Sequence, residues 1–136
     1  MDTSSQTVFQ EPIRSRLKLA SQGRLPVYDA HTVVALTDYG LSMDEIYRFV
    51  VPRRTLARRV EKNEPLTVAE NDSAFRIVRV VQLAERVFGN RDKAHRWLRK
   101  PSRALEGVVP LDLLESESGA YIVEQSLHQL DHGIAA

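Results

Sequence analysis

WLRKPSRALEGVVPLDLLESESGAYIVEQSLHQLDHG, residues 97–133, decides how this chain is read. A helix ends at Lys100-Pro101, since proline cannot continue it. One turn follows at Arg103-Ala104-Leu105 and breaks at Gly107. Pro110-Leu111-Asp112-Leu113-Leu114 gives a second short helical turn, which a Ser/Gly hinge connects to a final amphipathic helix. In that helix Val123, Leu127 and Leu130 recur at i, i+4 and i+7. Gly133 is its expected C-cap, leaving Ile134-Ala135-Ala136 as a tail. The segment is too punctuated to be a repeat and too apolar to be a linker. Leucines set between Pro and Gly stops describe a binding surface whose product is shape rather than a reactive side chain.

Upstream, the spacing predicts helices throughout. Thr67 and Glu70 form a capping box that opens the longest helix, running to about Phe88 with Gly89 as its C-cap. Its stripe of Ala74, Ile77, Val78, Val81, Ala84 and Phe88 is widened by Val80, Leu83 and Val87, so it reads as a core column. Asn90 to Lys100 is a shorter helix with Ala94, Trp97 and Leu98 inward. Asp29-Ala30-His31 opens another short helix carrying Val33, Val34 and Leu36 and stopping before Gly40. No stretch alternates like a strand, and the expected fold is all-α.

A second capping box, Ser42 with Glu45, starts a helix with Ile46, Phe49 and Val50 at buried spacing. Pro52 then begins PRRTLARRVEK, placing Leu56, Ala57 and Val60 on one side. Arg54, Thr55, Arg58 and Lys62 fall on the other, with Arg59 at the edge. Two short helices, a tight turn and a basic second helix make the helix-turn-helix pattern, whose second helix lies in the major groove. The turn is Val50-Val51-Pro52, where many such motifs carry glycine. Arg53, Arg54, Thr55, Arg58, Arg59 and Lys62 are therefore the candidate DNA contacts, through guanine edges or phosphates.

Charge divides the chain as sharply as pattern does. Every Lys and Arg lies at or before Arg103, and beyond it come Glu106, Asp112, Glu115, Glu117, Glu124 and Asp131 with no base. A basic body and an acidic end suit two different partners. The chain has no cysteine, which removes disulfides, thiolate metal sites and a cysteine nucleophile and fits a reducing cytoplasm. It shows no signal-peptide core and no apolar run approaching a membrane span, so no membrane partner is expected. Enzyme signatures are missing: there is no phosphate-cradling Gly-rich loop, no G-x-S-x-G and no H-E-x-x-H. His128 and His132 share the spacing of a two-histidine metal site but read better as polar-face residues, and Asp112 with Glu115 lacks apolar surroundings to raise a carboxyl pKa. Neither an enzyme nor a cofactor is expected.

The residues Trp97, Leu98, Pro101, Ala104, Leu105, Gly107, Pro110, Leu111, Leu113, Leu114, Gly119, Val123, Leu127, Leu130 and Gly133 resemble the toxin-binding domain of the MbcA/ParS/Xre antitoxin family. The part before them looks like the Xre-type DNA-binding region of the same antitoxins. Residues 1–27 show no clear period, contain Pro12, Gly23 and Pro26, and are expected to form an N-terminal arm outside the resemblance. The resemblance implies an Xre-like helix-turn-helix region over 28–66 and a helical toxin-binding domain over 67–136. It further implies a type II antitoxin: a cytoplasmic homodimer that represses its own operon through operator DNA and neutralises a RES-domain toxin. The toxin, which has an ADP-ribosyltransferase-like fold, would be the partner that consumes or transfers from NAD. The Lys- and Arg-free end suits a toxin pocket built for an anionic dinucleotide. On that expectation Leu127, Leu130, Asp131, His132, Gly133, Ile134, Ala135 and Ala136 are the toxin-binding residues that cover the pocket. The alternative is a stand-alone helix-turn-helix transcription regulator whose C-terminal domain serves dimerisation.

Overall fold

The computed structural model describes residues 29–133; the expected arm over 1–27 and the tail Ile134-Ala135-Ala136 lie outside the described residues. The fold is all-α, with five α-helices and three 3-10 helices among the described residues. The chain divides into two compact units at Phe75/Arg76, within the longest helix.

In the first unit, Ala30–Tyr39 is a 3-10 helix. Ala30, Val33, Leu36 and Tyr39 are its buried residues, one at every third position. Three residues per turn align these four in a single line, whereas an α-helical period would fan them over half the circumference. The same period turns Val34 outward, 53% exposed, although the sequence grouped it with Val33 and Leu36. Gly40, at φ +87°, ends the element with its N–H on the Thr37 carbonyl. Helix α1 is Met43–Phe49, capped as expected: Glu45 N–H donates to Ser42 Oγ at 3.1 Å and Ser42 N–H to Glu45 Oε1 at 2.9 Å.

Helix α2 is Arg53–Glu61, with Pro52 as its N-cap rather than its first helical residue. Both α1 and α2 pack on the 3-10 helix. Val50 N–H and Val51 N–H both donate to the Ile46 carbonyl, and Val50 stays in the right-handed region at φ −112°. No residue of this turn has a positive φ, so glycine is not required there. Val50 and Val51 are instead buried and help close the unit. Of the three residues expected inward on α2, only Leu56 is buried; Ala57 is exposed and Val60 is 42% exposed. The helix touches its unit along one narrow line, so residues 40–100° away from Leu56 escape cover.

Helix α3, Val68–Phe88, starts at the expected capping box: Glu70 N–H donates to Thr67 Oγ1 at 3.1 Å and Thr67 N–H to Glu70 Oε1 at 2.9 Å. Gly89, at φ +62°, stops it. In the second unit, α4 is Arg91–Leu98, with Asn90 Oδ1 accepting from Lys93 N–H. Trp97 sets its ring 5.7 Å from Phe88. Two 3-10 turns follow, Arg103–Leu105 and Pro110–Glu115, and then α5, Glu117–Asp131. Ile77, Val78, Val80, Val81, Ala84, Leu98, Leu114, Val123 and Leu127 are all but fully buried.

There is no hinge before α5. Ser116 is its N-cap, accepting from Gly119 N–H at 3.0 Å, and Gly119 sits inside the first turn. A Cβ on Gly119 would fall 1.9 Å from the Leu113 carbonyl oxygen. The glycine therefore permits close approach, seating α5 on the preceding 3-10 turn.

Candidate functional site

On the first unit, α2 presents Arg53, Arg54, Arg58 and Lys62 to solvent, with Thr55 half-buried. Arg54, Arg58 and Lys62 have no ion pair among the described residues. The Arg53 guanidinium lies 6.0 Å from the Tyr47 ring centroid, at the limit of a cation–π contact. Arg59 differs from its neighbours. Its guanidinium pairs with Glu70, both side chains being 14% exposed. The oxygen it meets, Oε1, also accepts the Thr67 N–H. Arg59 thus ties the basic helix to the capping box of α3, and nothing in the local sequence pointed to a partner eleven residues away.

On the second unit, α5 is fastened at its N-terminal end by two arginines of α3. Arg76 donates from Nε to the Leu114 carbonyl at 3.1 Å and from Nη2 to the Glu115 carbonyl at 3.2 Å. Arg79 donates from Nη2 to Glu117 Oε1 at 2.6 Å and also engages both carboxylate oxygens of Glu124 at 3.2 Å. The Arg79 hydrogen bond holds the Glu117 carboxyl below its ordinary pKa, with partial burial acting the other way. Burial alone would lower the Arg79 pKa, but the bonds and charges of Glu117 and Glu124 together raise it.

Of the residues expected to bind a toxin, Leu127 is fully buried and Leu130 half-buried. Asp131, His132 and Gly133 are exposed at the end of the helix, and Ile134, Ala135 and Ala136 lie outside the described residues. His132 Nδ1 sits 2.7 Å from the His128 carbonyl, to which it donates, so that ring caps its own helix. Among the described residues no three metal-ligating side chains converge, and no helix is long and apolar enough to cross a membrane.

The outer face of α5 carries what the periodicity did not flag. Tyr121 is 62% and Ile122 48% exposed, followed along the helix by exposed Gln125, His128 and Gln129. The Tyr121-Ile122 pair immediately precedes Val123 in the sequence but lies outside the buried i, i+4, i+7 period of Val123, Leu127 and Leu130.

Comparison with known proteins bears on the second unit. The family model described as the Antitoxin Xre/MbcA/ParS C-terminal toxin-binding domain matches residues 83–133, from the end of α3 through α5. An "Antitoxin Xre" of Pseudomonas putida is 38% identical over 106 residues, which are 78% of this chain and 67% of the relative. An "Antitoxin Xre" of Photorhabdus laumondii is 36% identical over 84 residues, 61% of this chain and 57% of that protein. A "Prs ADP-ribosylating antitoxin" of a Sphingobium species is 30% identical over 91 residues, 60% of this chain and 57% of that protein. The chain thus spans from just over half to two thirds of the length of these relatives. With the toxin-binding domain on residues 83–133 and the Pseudomonas relative matched over two thirds of its length, the chain belongs to the Xre/MbcA/ParS antitoxin family.

Proposed function

We propose that this chain is the antitoxin of a type II system: its C-terminal helical domain covers the active site of a RES-domain toxin, and its basic helix α2 represses the shared operon. The observation that carries the reading is the family's toxin-binding domain on residues 83–133, built around a seated helix whose outer face exposes Tyr121 and Ile122 and carries no Lys or Arg. In this reading Tyr121 and Ile122 anchor the contact, because large exposed apolar groups supply most of an interface's energy. Asp131, His132 and Gly133 border it, and Ile134, Ala135 and Ala136 extend it. Leu127 and Leu130 hold the helix from beneath. Asp131, the acid of α5 outside the Arg79 clamp, faces a pocket that is basic because it accepts an anionic dinucleotide; the NAD chemistry is the toxin's.

The DNA half of the proposal is supported by exposed Arg54, Arg58 and Lys62, which have no ion pair among the described residues, and by the helix-turn-helix order of α1, turn and α2. A homodimer would set two such helices on half-sites roughly 34–36 Å apart, one turn of duplex. Repression then acts through Arg53, Arg54, Thr55, Arg58 and Lys62, with Arg59 holding α2 in place.

The test is co-purification with the product of the adjacent gene, followed by an NAD-depletion assay with and without this chain. Wild type is expected to bind the product and spare NAD. Tyr121→Ala with Ile122→Asp is expected to lose both effects while keeping a native circular-dichroism spectrum. Full neutralisation by that double variant would refute the docking face, and failure of wild type to bind the neighbour would refute the antitoxin pairing.

A further inference from the structure

The second unit carries a basic surface for which the proposed reading has no use. Residues 91–103 hold Arg91, Lys93, Arg96, Arg99, Lys100 and Arg103 against a single acid, Asp92. Helix α4 buries Ala94 and Leu98 and turns its other side outward. Asp92, His95, Arg96, Arg99 and Lys100, spaced three and four apart, line an open trough of about 650 Å³ along that side.

Part of this trough is fixed in place. Glu85 Oε2 accepts from His95 Nε2 at 2.7 Å, so that ring nitrogen carries the proton. His95 Nδ1 is left to accept from Arg99 Nη1 at 3.0 Å, and the same Nη1 donates to the His95 carbonyl at 3.1 Å. Glu85 is also approached by Arg91 Nε at 3.5 Å. Glu85 is therefore occupied in orienting His95 and Arg91, and Asp92 is the one acid in the trough's lining. Arg96 and Lys100 stand exposed above it with no ion pair among the described residues.

An excess of cations on one helix face attracts phosphate, and guanidinium forks match it. A free nucleotide would need an enclosed pocket that buries most of its surface, whereas this trough is open along its length. An open basic channel fits a backbone that passes across it. We propose that the α4 trough of the toxin-binding domain binds the phosphodiester backbone of duplex DNA, as a contact separate from the base-facing side chains of α2. The inference rests on the reading that the protein binds DNA.

The test uses the full chain and fluorescence anisotropy, with two duplexes: one from immediately upstream of its own coding sequence and one of random sequence. Affinity is measured between 50 and 200 mM KCl for wild type and for Arg96→Ala with Lys100→Ala. Losing two phosphate contacts should make the plot of log affinity against log salt shallower by roughly 1.8, so the affinity lost over that fourfold salt range shrinks about 12-fold. Binding to both duplexes should weaken by the same factor, because phosphates carry no sequence. Co-purification with the toxin should be unchanged. An unaltered salt slope overturns the proposal, as does loss of toxin binding in this variant, which would make the trough a protein contact. Calorimetric binding of ADP that the variant abolishes while the slope stays put would make it a nucleotide site and also overturns it. Wild type that binds neither duplex sinks this inference together with the DNA-binding reading. Wild-type binding that falls with Arg54→Ala and Arg58→Ala, beside an unchanged slope in the trough variant, sinks this one alone.

Discussion

Gly119→Ala tests how α5 is seated. The added methyl would lie 1.9 Å from the Leu113 carbonyl oxygen and 2.9 Å from its carbon, both backbone atoms that cannot rotate away. Ordinary contact begins near 3.4 Å, so the helix must withdraw by about 1.5 Å. Its own inner face carries Ala120, Val123 and Leu127, all with no exposed surface. A gap of about 0.5–1 Å already forfeits a quarter to a half of a dispersion contact, so a withdrawal of this size empties the layer. The Ser116 cap on Gly119 N–H, worth about 1 kcal/mol, would be strained as well. Against these stands alanine's helix preference, about 0.8–1 kcal/mol over glycine. With overpacking at about 1–3 kcal/mol, the sum is destabilising by roughly 1–3 kcal/mol. For a chain of this length that lowers Tm by about 6–10 °C at the midpoint of the range. Gly89→Ala is the comparison: its φ of +62° is strained for alanine, but no atom lies within 4 Å of the new methyl. Its effect should be about 1 kcal/mol, from backbone strain alone. Thermal and urea unfolding of the two variants decides the matter. If Gly119→Ala is as stable as wild type, or less damaging than Gly89→Ala, α5 is not seated on Leu113 and the argument from close approach is wrong.

Arg59→Ala should lower stability by about 1–2 kcal/mol, because it strips a part-buried charge-assisted bond from Glu70. Arg54→Ala with Arg58→Ala should leave unfolding within about 0.5 kcal/mol of wild type. If those two side chains read bases, the same pair should weaken promoter binding by roughly 1–3 kcal/mol per contact in a gel-shift titration. Equal stability losses in the two variants would refute the division of labour on α2. Glu117→Gln carries a pH signature. The Glu117 pKa is depressed when folded, so its contribution is present above the ordinary carboxylate value and is lost as pH falls through the folded one. The pair is well exposed, at 47% and 63%, so solvent screening holds the wild-type advantage at pH 7 to about 0–1 kcal/mol. Denaturant melts should show that advantage vanishing below about pH 4, near the model-peptide value; an advantage that grows on acidification contradicts the clamp. Ser126→Ala should be neutral to stabilising by up to about 1 kcal/mol, since the Ser126 hydroxyl is buried with no partner among the described residues. Clear destabilisation would mean that hydroxyl is bonded after all.

Local grammar was legible in the sequence, and longer-range geometry was not. Both capping boxes and the Gly89 stop are written within four residues of where they act, so Ser42 with Glu45 and Thr67 with Glu70 fall where residue types place them. The wheel of α2 gave the angular order of Leu56, Ala57 and Val60 correctly, yet it carries no information on how broad an arc a neighbour covers. Gly119 read as hinge because glycine's freedom and its lack of bulk are the same letter; only the position of Leu113 tells them apart. Arg59 is among the candidate DNA contacts, and its pairing with Glu70 was not legible because that partner lies beyond an intervening turn. The expected toxin-binding residues run from Leu127 through Leu130 to Ala136; the apolar period marks Leu127 as buried and Leu130 as half-buried against their own chain, while Tyr121 and Ile122 fall outside that period and stand exposed.

That distinction connects the devices of the second unit. Arg76 binds the carbonyls of Leu114 and Glu115, Arg79 grips Glu117 and Glu124, and Gly119 lets the first turn press on Leu113. Arg76 thus fixes the turn that leads into α5, and the other two act on the N-terminal half of α5 itself, the half that presents Tyr121 and Ile122. A helix free to rock would lose part of any binding energy to ordering the contact, whereas one fixed beforehand does not. On the proposed reading, the arginines of α3 therefore serve neutralisation without touching the toxin. They set the pose of two exposed side chains whose value to an interface depends on being held still.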